Sequence, residues 1–188
     1  MSTPRRLRRM LLPLVASVFA LVGMQLVGAP TASAAPSHHI TAATVCYNTS
    51  QAGQFAGVMG QAAGIWNGSE SNVQLSACGS DMMVYQITGG GSYAQVYGLG
   101  QGAIYIDTEQ AAQYSPLRIV AHETGHILGL PDNYNGDCSI LMSGGSAGTS
   151  CTNPYPSSGE AAEVDSYFGF APATAGQPHT YKDSWPAK

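Results

Sequence analysis

Basic residues are scarce in this chain of 188 residues, and most of them stand near its beginning. Four of the seven lie between Arg5 and Arg9. Without that stretch, Arg118, Lys182 and Lys188 remain against eleven acidic residues, which gives a formal net charge of −8. Because phosphate binding needs a surface of lysine and arginine, this balance argues against a nucleic acid partner.

Other signatures are also missing from the sequence. It has no internal repeat, no Gly-rich phosphate-binding loop, no coiled-coil heptad and no C-x-x-C pair. The first three absences argue against solenoid, nucleotide-binding and coiled-coil proteins. The fourth argues against a zinc site built from cysteines. What remains is a chain long enough for one domain with a hydrophobic core.

The first 34 residues have the organisation of a secretory signal peptide. A basic start is followed by an apolar run over residues 10–26 and by an A-x-A site at Ala32-Ser33-Ala34. A membrane anchor is the alternative, but a spanning helix wants about 20 apolar residues and no small-residue cleavage site. We therefore expect a secreted, extracellular protein without membrane contact once residues 1–34 are removed.

The mature chain divides into three parts. Residues 35–40 are predicted to be a short pro or linker segment, in which His38 and His39 form an exposed stub, so a long inhibitory pro-segment is not expected. Residues 41–170 are predicted to form the domain. Residues 171–188 contain Pro, Ala and Gly and are predicted to be a C-terminal tail, partly disordered.

Four cysteines lie in the exported part of the chain, and an even number there favours disulfides. Three pairings are possible. We favour Cys46–Cys78 and Cys138–Cys151, because each closes a modest loop. In the chain-entropy model, a disulfide that closes a loop as long as the one between Cys138 and Cys151 stabilises the fold by about 3 kcal/mol.

Hydrophobic periodicity predicts strands at residues 44–47, 73–75, 82–88, 93–97 and 103–107. It predicts helices over 51–67, from Ser115-Pro116 to Gly129, and from Glu160 to about Phe168. In the second helix, Leu117 and Val120 are expected to face inward, and His122 and His126 to lie on another face with Ile119. Gly125 in mid-helix is attributed to the close approach of a neighbouring backbone.

Residues 122–132 of the second helix and its continuation read H-E-x-x-H-x-x-G-x-x-D. Residues four apart share a helix face, so His122 and His126 can bind one metal ion, and Glu123 can reach a water on it. Gly129 permits a left-handed backbone that turns the chain back, so Asp132 can present a third ligand. Three protein ligands leave one position for water, which is typical of a catalytic zinc site.

This arrangement predicts hydrolysis of peptide bonds. The metal lowers the pKa of its water, Glu123 takes the proton, and the hydroxide attacks a carbonyl that the metal polarises. Glu123 then passes the proton to the leaving amine. The alternatives are two surface histidines beside a solvated glutamate and, for Asp132, an ordinary turn residue. Apolar Ile127 and Leu128 argue against the first, and the motif spacing argues against the second.

The motif, the turn at residues 140–145 and the Cys138/Cys151 pair resemble the snapalysin family of small secreted bacterial neutral zinc endopeptidases, in the metzincin class. The likeness covers about residues 42–168 and includes the segments 44–48, 65–67, 71–73, 91–94, 121–132 and 150–156. It implies an α+β, metzincin-like zincin fold, with a twisted mixed sheet of four or five strands, an active-site helix and a C-terminal helix. It also implies that the edge strand, placed at residues 93–97, pairs with an extended substrate.

The resemblance also implies roles for individual residues. His122, His126 and Asp132 match the zinc ligands, Glu123 the catalytic base, Met142 the hydrophobic Met-turn below the metal, and Tyr134 a donor to the developing oxyanion. An ordinary core methionine and a half-buried loop tyrosine are the alternatives for the last two.

Two features depart from the family pattern. The family's calcium site before the active-site helix uses Asp and Thr, where this chain has Ser115 and Leu117. Since Leu117 has no ligating side chain, the resemblance does not carry calcium over. The pair Cys46/Cys78 is additional.

We therefore expect a secreted zinc-dependent metalloendopeptidase that binds one zinc per chain and acts as a monomer on proteins or peptides. The resemblance implies a preference for aromatic residues on the prime side of the cleaved bond. One alternative is a secreted, metal-stabilised binding module or inactive pseudo-protease. Glu123 argues against it, because a purely structural site has no use for a general base. Another alternative is a zinc hydrolase of a non-peptide polymer such as the cell wall.

Overall fold

Residues 41–170 and 179–182 are described by the computed structural model. The predicted signal peptide, the segment 35–40 with His38 and His39, and most of the predicted tail lie outside these residues. No helix in the described ranges is long and apolar enough to cross a membrane.

Within residues 41–170 and 179–182, six strands form one mixed sheet in the order β2-β1-β3-β5-β4-β6. β1 is parallel to β2 and β3, and β3 is parallel to β5. β4 is antiparallel to both of its neighbours, β5 and β6. The strands are β1 (Ala43–Gln51), β2 (Val73–Ser76), β3 (Met82–Ile87), β4 (Tyr93–Gly98), β5 (Gln101–Asp107) and β6 (His179–Lys182).

The α+β class and the mixed sheet are confirmed, but the sheet has one strand more than the four or five expected. The additional strand is β6, which lies within residues 171–188, the segment predicted to be a tail. Its residues His179, Thr180, Tyr181 and Lys182 lack the alternation of apolar and polar residues that marks a half-buried strand. Because β6 pairs along β4, the prediction that β4 is an edge strand is wrong for this structure.

The helices are α1 (Ala56–Ser69), α2 (Thr108–Ala111), α3 (Pro116–Ile127) and α4 (Ser158–Phe170). The helix predicted from residue 51 begins later, because β1 continues to Gln51, which pairs with Tyr85 of β3. A 3-10 turn, Gly53–Phe55, then leads into α1. The short helix α2 was not predicted. The Asp107 side chain caps it by accepting the N–H of Glu109 at 2.9 Å.

Helix α3 runs through the interior, and every residue from Arg118 to Ile127 is buried. Val120, which was expected to face inward, is buried, and Leu117 is partly buried. The face with His122 and His126 is buried as well, because α1 covers the helix on a further side. The Trp66 indole of α1 is fully buried and donates to the Ala121 carbonyl of α3 at 3.0 Å. The two histidines thus lie in the core, where few water molecules can form hydrogen bonds with their ring nitrogens.

Both favoured disulfides are present in the structure. Cys46–Cys78 joins β1 to the loop after β2, and Cys138–Cys151 closes a loop between α3 and α4. The described residues contain no free cysteine.

Two carboxyl groups meet where α1 ends and α4 passes. The Asp165 carboxylate accepts the N–H groups of Ser71 at 2.7 Å and Asn72 at 2.8 Å. Glu70 is 7% exposed. Burial, together with the negative charge of Asp165, raises the pKa of Glu70 from 4.5 to about 8. At neutral pH the folded state therefore binds a proton that the unfolded state releases.

This proton makes the stability depend on pH. Because the folded pKa lies above the unfolded one, the free energy of unfolding decreases as the pH rises from about 4.5 to about 8. A Glu70→Gln variant lacks this titration. We expect its Tm to exceed that of the wild type increasingly over this range in scanning calorimetry. Glu109→Gln, which changes an exposed carboxylate of α2, is the control. Parallel pH profiles for wild type and Glu70→Gln would contradict the prediction.

Candidate metal centre

Three side chains converge at the end of α3. The Nε2 atoms of His122 and His126 lie 3.2 Å apart. The Asp132 Oδ1 atom lies 3.4 Å from Nε2 of His122 and 3.3 Å from Nε2 of His126. Two ligand atoms at about 2.0–2.1 Å from a tetrahedral zinc lie about 3.3 Å from each other. The three predicted ligand atoms thus have the mutual spacing that zinc requires.

Backbone carbonyl groups orient both imidazole rings. The Nδ1 atom of His122 lies 3.1 Å from the Leu141 carbonyl oxygen, and that of His126 lies 2.8 Å from the Leu130 carbonyl oxygen. A carbonyl oxygen only accepts, so each Nδ1 carries the proton and donates it. Each Nε2 then presents a lone pair to the centre of the cluster, as a metal ligand must.

The charges at the cluster also suit a cation. Burial lowers the pKa of His126, although hydrogen bonding to Asp132 opposes this. Burial alone would raise the pKa of Asp132, but hydrogen bonds and charge from His122 and His126 outweigh it and hold the pKa well below its usual range. At neutral pH the cluster therefore holds neutral imidazole and an ionised carboxylate, the forms that bind metal.

Glu123 follows His122 in α3 and is fully buried. A carboxylate is costly to bury, so its place in the interior next to a ligand is a specific feature of the fold. The sequence predicted it as the base, and its position beside the cluster is compatible with that role.

The chain turns back at Gly129, whose φ is 102°. The N–H of Gly129 donates to the His126 carbonyl, and the N–H of Leu130 donates to the Gly125 carbonyl, both at 3.0 Å. This pair of bonds is the Schellman motif that ends helices at a left-handed glycine, as the sequence predicted. The turn also brings the Leu130 carbonyl to His126, so one structure ends the helix, orients a ligand and directs Asp132 inward.

Met142 packs against α3 at Gly125 and is 1% exposed. Its carbonyl accepts the N–H of Asn133 at 2.8 Å, which ties this turn to the residue after Asp132. A Cβ atom on Gly125 would lie 2.7 Å from the Met142 Sδ atom and 3.2 Å from the Trp66 ring. Two side chains therefore require glycine here, and the prediction of a neighbouring backbone was wrong.

Comparison with known proteins places this centre in a family. Residues 42–171 match the family described as Streptomyces extracellular neutral proteinase (M7). The chain belongs to the M7 family. This confirms the predicted resemblance, and the α+β architecture is the zincin-like metalloprotease fold of that family.

Three relatives, each named extracellular small neutral protease, show the extent of the likeness. The Streptomyces caespitosus protein is 52% identical over 124 residues, 65% of this chain and 94% of the relative. The Streptomyces lividans protein is 48% identical over 132 residues, 69% of this chain and 58% of the relative. The protein from Streptomyces sp. (strain C5) is 48% identical over 137 residues, which are 70% of this chain and 60% of the relative. The chain thus spans less than two thirds of two of these relatives.

Arg118 supports the M7 centre from inside the fold, and sequence reasoning missed it. Its guanidinium group is 1% exposed. It donates to the carbonyl oxygens of Asn153 at 2.5 Å, Ile140 at 2.9 Å and Leu141 at 3.3 Å, and to the Ser143 hydroxyl at 2.9 Å. A signal existed, because Arg118 is the only arginine after residue 9 and lies in the motif helix.

Glu160 supports the same turn from α4 and was also missed. Its carboxylate accepts the N–H groups of Leu141 at 3.1 Å and Met142 at 2.7 Å. It further accepts the N–H of Ser157 at 2.6 Å, while the Ser157 hydroxyl accepts the N–H of Glu160 at 3.3 Å. This reciprocal pair is a capping box, and the S-x-x-E spacing at residues 157–160 was its signal.

The remaining predicted residues lie nearby in sequence. Tyr134, two residues after Asp132, is 43% exposed, and its role stays a prediction. Ser115, at a position of the family's calcium site, caps α3 instead, since its hydroxyl accepts the N–H of Arg118 at 3.4 Å.

Loss of the Glu160 charge should loosen the turn below the centre. In Glu160→Gln, an amide group replaces one oxygen, so at least one buried N–H of residues 141, 142 and 157 loses its acceptor. We expect the free energy of unfolding to fall by about 1.5–3 kcal/mol in urea titrations, as for hydrogen bonds to charged groups. Glu109→Gln, which changes an exposed carboxylate on another helix, is the control and should change it little. Equal stabilities for the two variants would refute the role of Glu160.

Proposed function

We propose that this chain is a secreted zinc metalloendopeptidase with His122, His126 and Asp132 as the metal ligands and Glu123 as the catalytic base. The observation that carries the proposal is the spacing of 3.2–3.4 Å among the three ligand atoms, with both Nδ1 protons held by carbonyl groups. The extracellular proteases among its relatives support both the activity and the location. Protein or peptide substrates follow from the same relatives.

The chemistry divides between the metal and the protein. When bound, zinc supplies a Lewis acid that polarises the scissile carbonyl and lowers the pKa of water. Glu123 accepts the proton of the attacking water and returns it to the leaving amine. Tyr134, on the segment after the third ligand, donates a hydrogen bond to the oxyanion. His122 and His126 keep their orientation through Leu141 and Leu130 during the reaction.

Asp132 sets the electrostatics of the site. Its carboxylate would reduce the net positive charge of a bound zinc ion, which would then be a milder Lewis acid than one held by three neutral imidazoles. A base next to the ligands would therefore contribute more to activation of the water, and the proposal assigns this role to the buried Glu123.

Removal of the base should separate catalysis from metal binding. In Glu123→Gln, the amide cannot accept the proton of water, so we expect casein hydrolysis to fall by about 10²–10⁴-fold. Metal analysis should still give one zinc per chain, because no ligand changes. Glu109→Gln, an exposed acid that follows β5, is the control and should retain activity. Undiminished proteolysis by Glu123→Gln would overturn the mechanism.

The preference for aromatic residues needs a separate measurement. We expect casein digested by the secreted protein to show cleavage sites enriched in Phe, Tyr or Trp on the prime side of the cleaved bond. Mass spectrometry of the early products gives the positions directly. Aromatic frequencies no higher there than in casein as a whole would show that the preference implied by the resemblance does not hold for this chain.

A further inference from the structure

The strand β6 covers the side of β4 that would otherwise be an edge of the sheet. The two strands are antiparallel, with Tyr93 opposite Lys182, Ala94 opposite Tyr181, and Gln95 opposite Thr180. A strand edge presents unpaired N–H and C=O groups, and an extended peptide binds to such an edge by strand addition. Residues 179–182 therefore lie where the proposed substrate would pair.

The same strand also covers a metal ligand. The ring of Tyr181 stacks on the imidazole of His126, with 4.1 Å between the ring centroids and 6° between the planes. His179 packs edge-on against Tyr181 with centroids 4.5 Å apart. One short strand thus reaches both the pairing edge and the ligand cluster.

We propose that β6 is an autoinhibitory strand, which holds the peptide-binding edge and the face of His126 until a substrate displaces it. The inference rests on the proposed function, because it takes the β4 edge and the ligand cluster as the site of peptide cleavage. The occupant is a segment of this chain with the chemistry of a ligand for that site, an extended backbone and an aromatic side chain.

β6 lies outside residues 42–171, the part of the chain that matches the family. The strand is thus an addition to the family domain, and it contacts that domain at the edge where pairing groups are available. A strand that only completes the sheet could pair at any edge of that sheet. A strand with a purely structural role would not need to stack the ring of Tyr181 on a metal ligand.

The blockade is weak enough to be reversed. β6 has four residues, and its described side chains at positions 179 and 180 are exposed while Tyr181 is partly buried. A ring stack of this kind shifts an equilibrium by about 2- to 12-fold. Because β6 and the substrate compete for the same groups, the strand raises KM and leaves kcat unchanged. Substrate at high concentration therefore displaces it.

The first test uses the full secreted chain and a fluorogenic peptide derived from casein. Tyr181→Ala should lower KM by about 2- to 10-fold at unchanged kcat, because the stack on His126 is lost. Tyr155→Ala removes a tyrosine that is 58% exposed and outside the site, and it should leave both constants unchanged. An unchanged or higher KM for Tyr181→Ala would overturn the autoinhibition.

The second test needs no proteolysis. Zinc-loaded Glu123→Gln and Glu123→Gln/Tyr181→Ala are titrated in a calorimeter with a synthetic peptide that has the sequence of residues 177–184. The peptide should bind about 2- to 10-fold more tightly to the double variant, whose own strand is weakened. A peptide with Ala in place of its Tyr should bind more weakly.

The two proposals fail in different ways. Equal affinities of the calorimetric probe for both proteins, or no binding to either, would overturn the autoinhibitory strand even where casein is cleaved. Conversely, tighter binding to the double variant without any proteolysis by the wild type would leave the strand in place and overturn the proposed activity alone.

Discussion

The buried guanidinium of Arg118 is the contact on which the candidate metal centre depends. Arg118 lies one turn before His122 on α3, and both side chains donate to the Leu141 carbonyl, at 3.3 Å and 3.1 Å. The cation therefore fixes the oxygen that orients the first imidazole. Its bonds to Ile140 and Asn153 hold the two sides of the loop that the Cys138–Cys151 disulfide closes. A loop without regular strands thereby holds the Leu141 carbonyl against the ring of His122.

An anion completes this support from the other side. Glu160 binds the N–H groups of Leu141 and Met142, while Arg118 binds the carbonyl groups of the same turn. Buried charges cost solvation free energy, and they are stable where several hydrogen bonds satisfy each of them. The turn that carries Leu141 and Met142 is thus fixed by two opposite charges on separate helices. Small displacements of either helix would move His122, so the geometry of the centre depends on the packing of the whole domain.

The parts of the fold that follow local rules could be predicted from the sequence. The H-E-x-x-H spacing, the left-handed Gly129 and the strands of alternating or apolar residues depend on the chain within a few residues of each position. The bonds of Arg118 and the second role of Glu160 involve backbone groups at least 18 residues away in the sequence. The reason for Gly125 is contact with side chains of α1 and of the turn at Met142. Hydrophobic periodicity in the sequence does not predict such contacts. β6 was missed because backbone pairing with β4, and not its own side chains, makes it a strand.

The pairing of β6 with β4 also bears on how the protein behaves in solution. An open β4 would offer its hydrogen-bonding groups, beside the side chains of Tyr93 and Val96, to another copy of the chain. With β6 in place, those groups are already paired within the molecule. The sheet then ends at a short strand that contains His179 and Thr180, both exposed. The C-terminal strand therefore protects a concentrated solution of this protein against aggregation through the β4 edge.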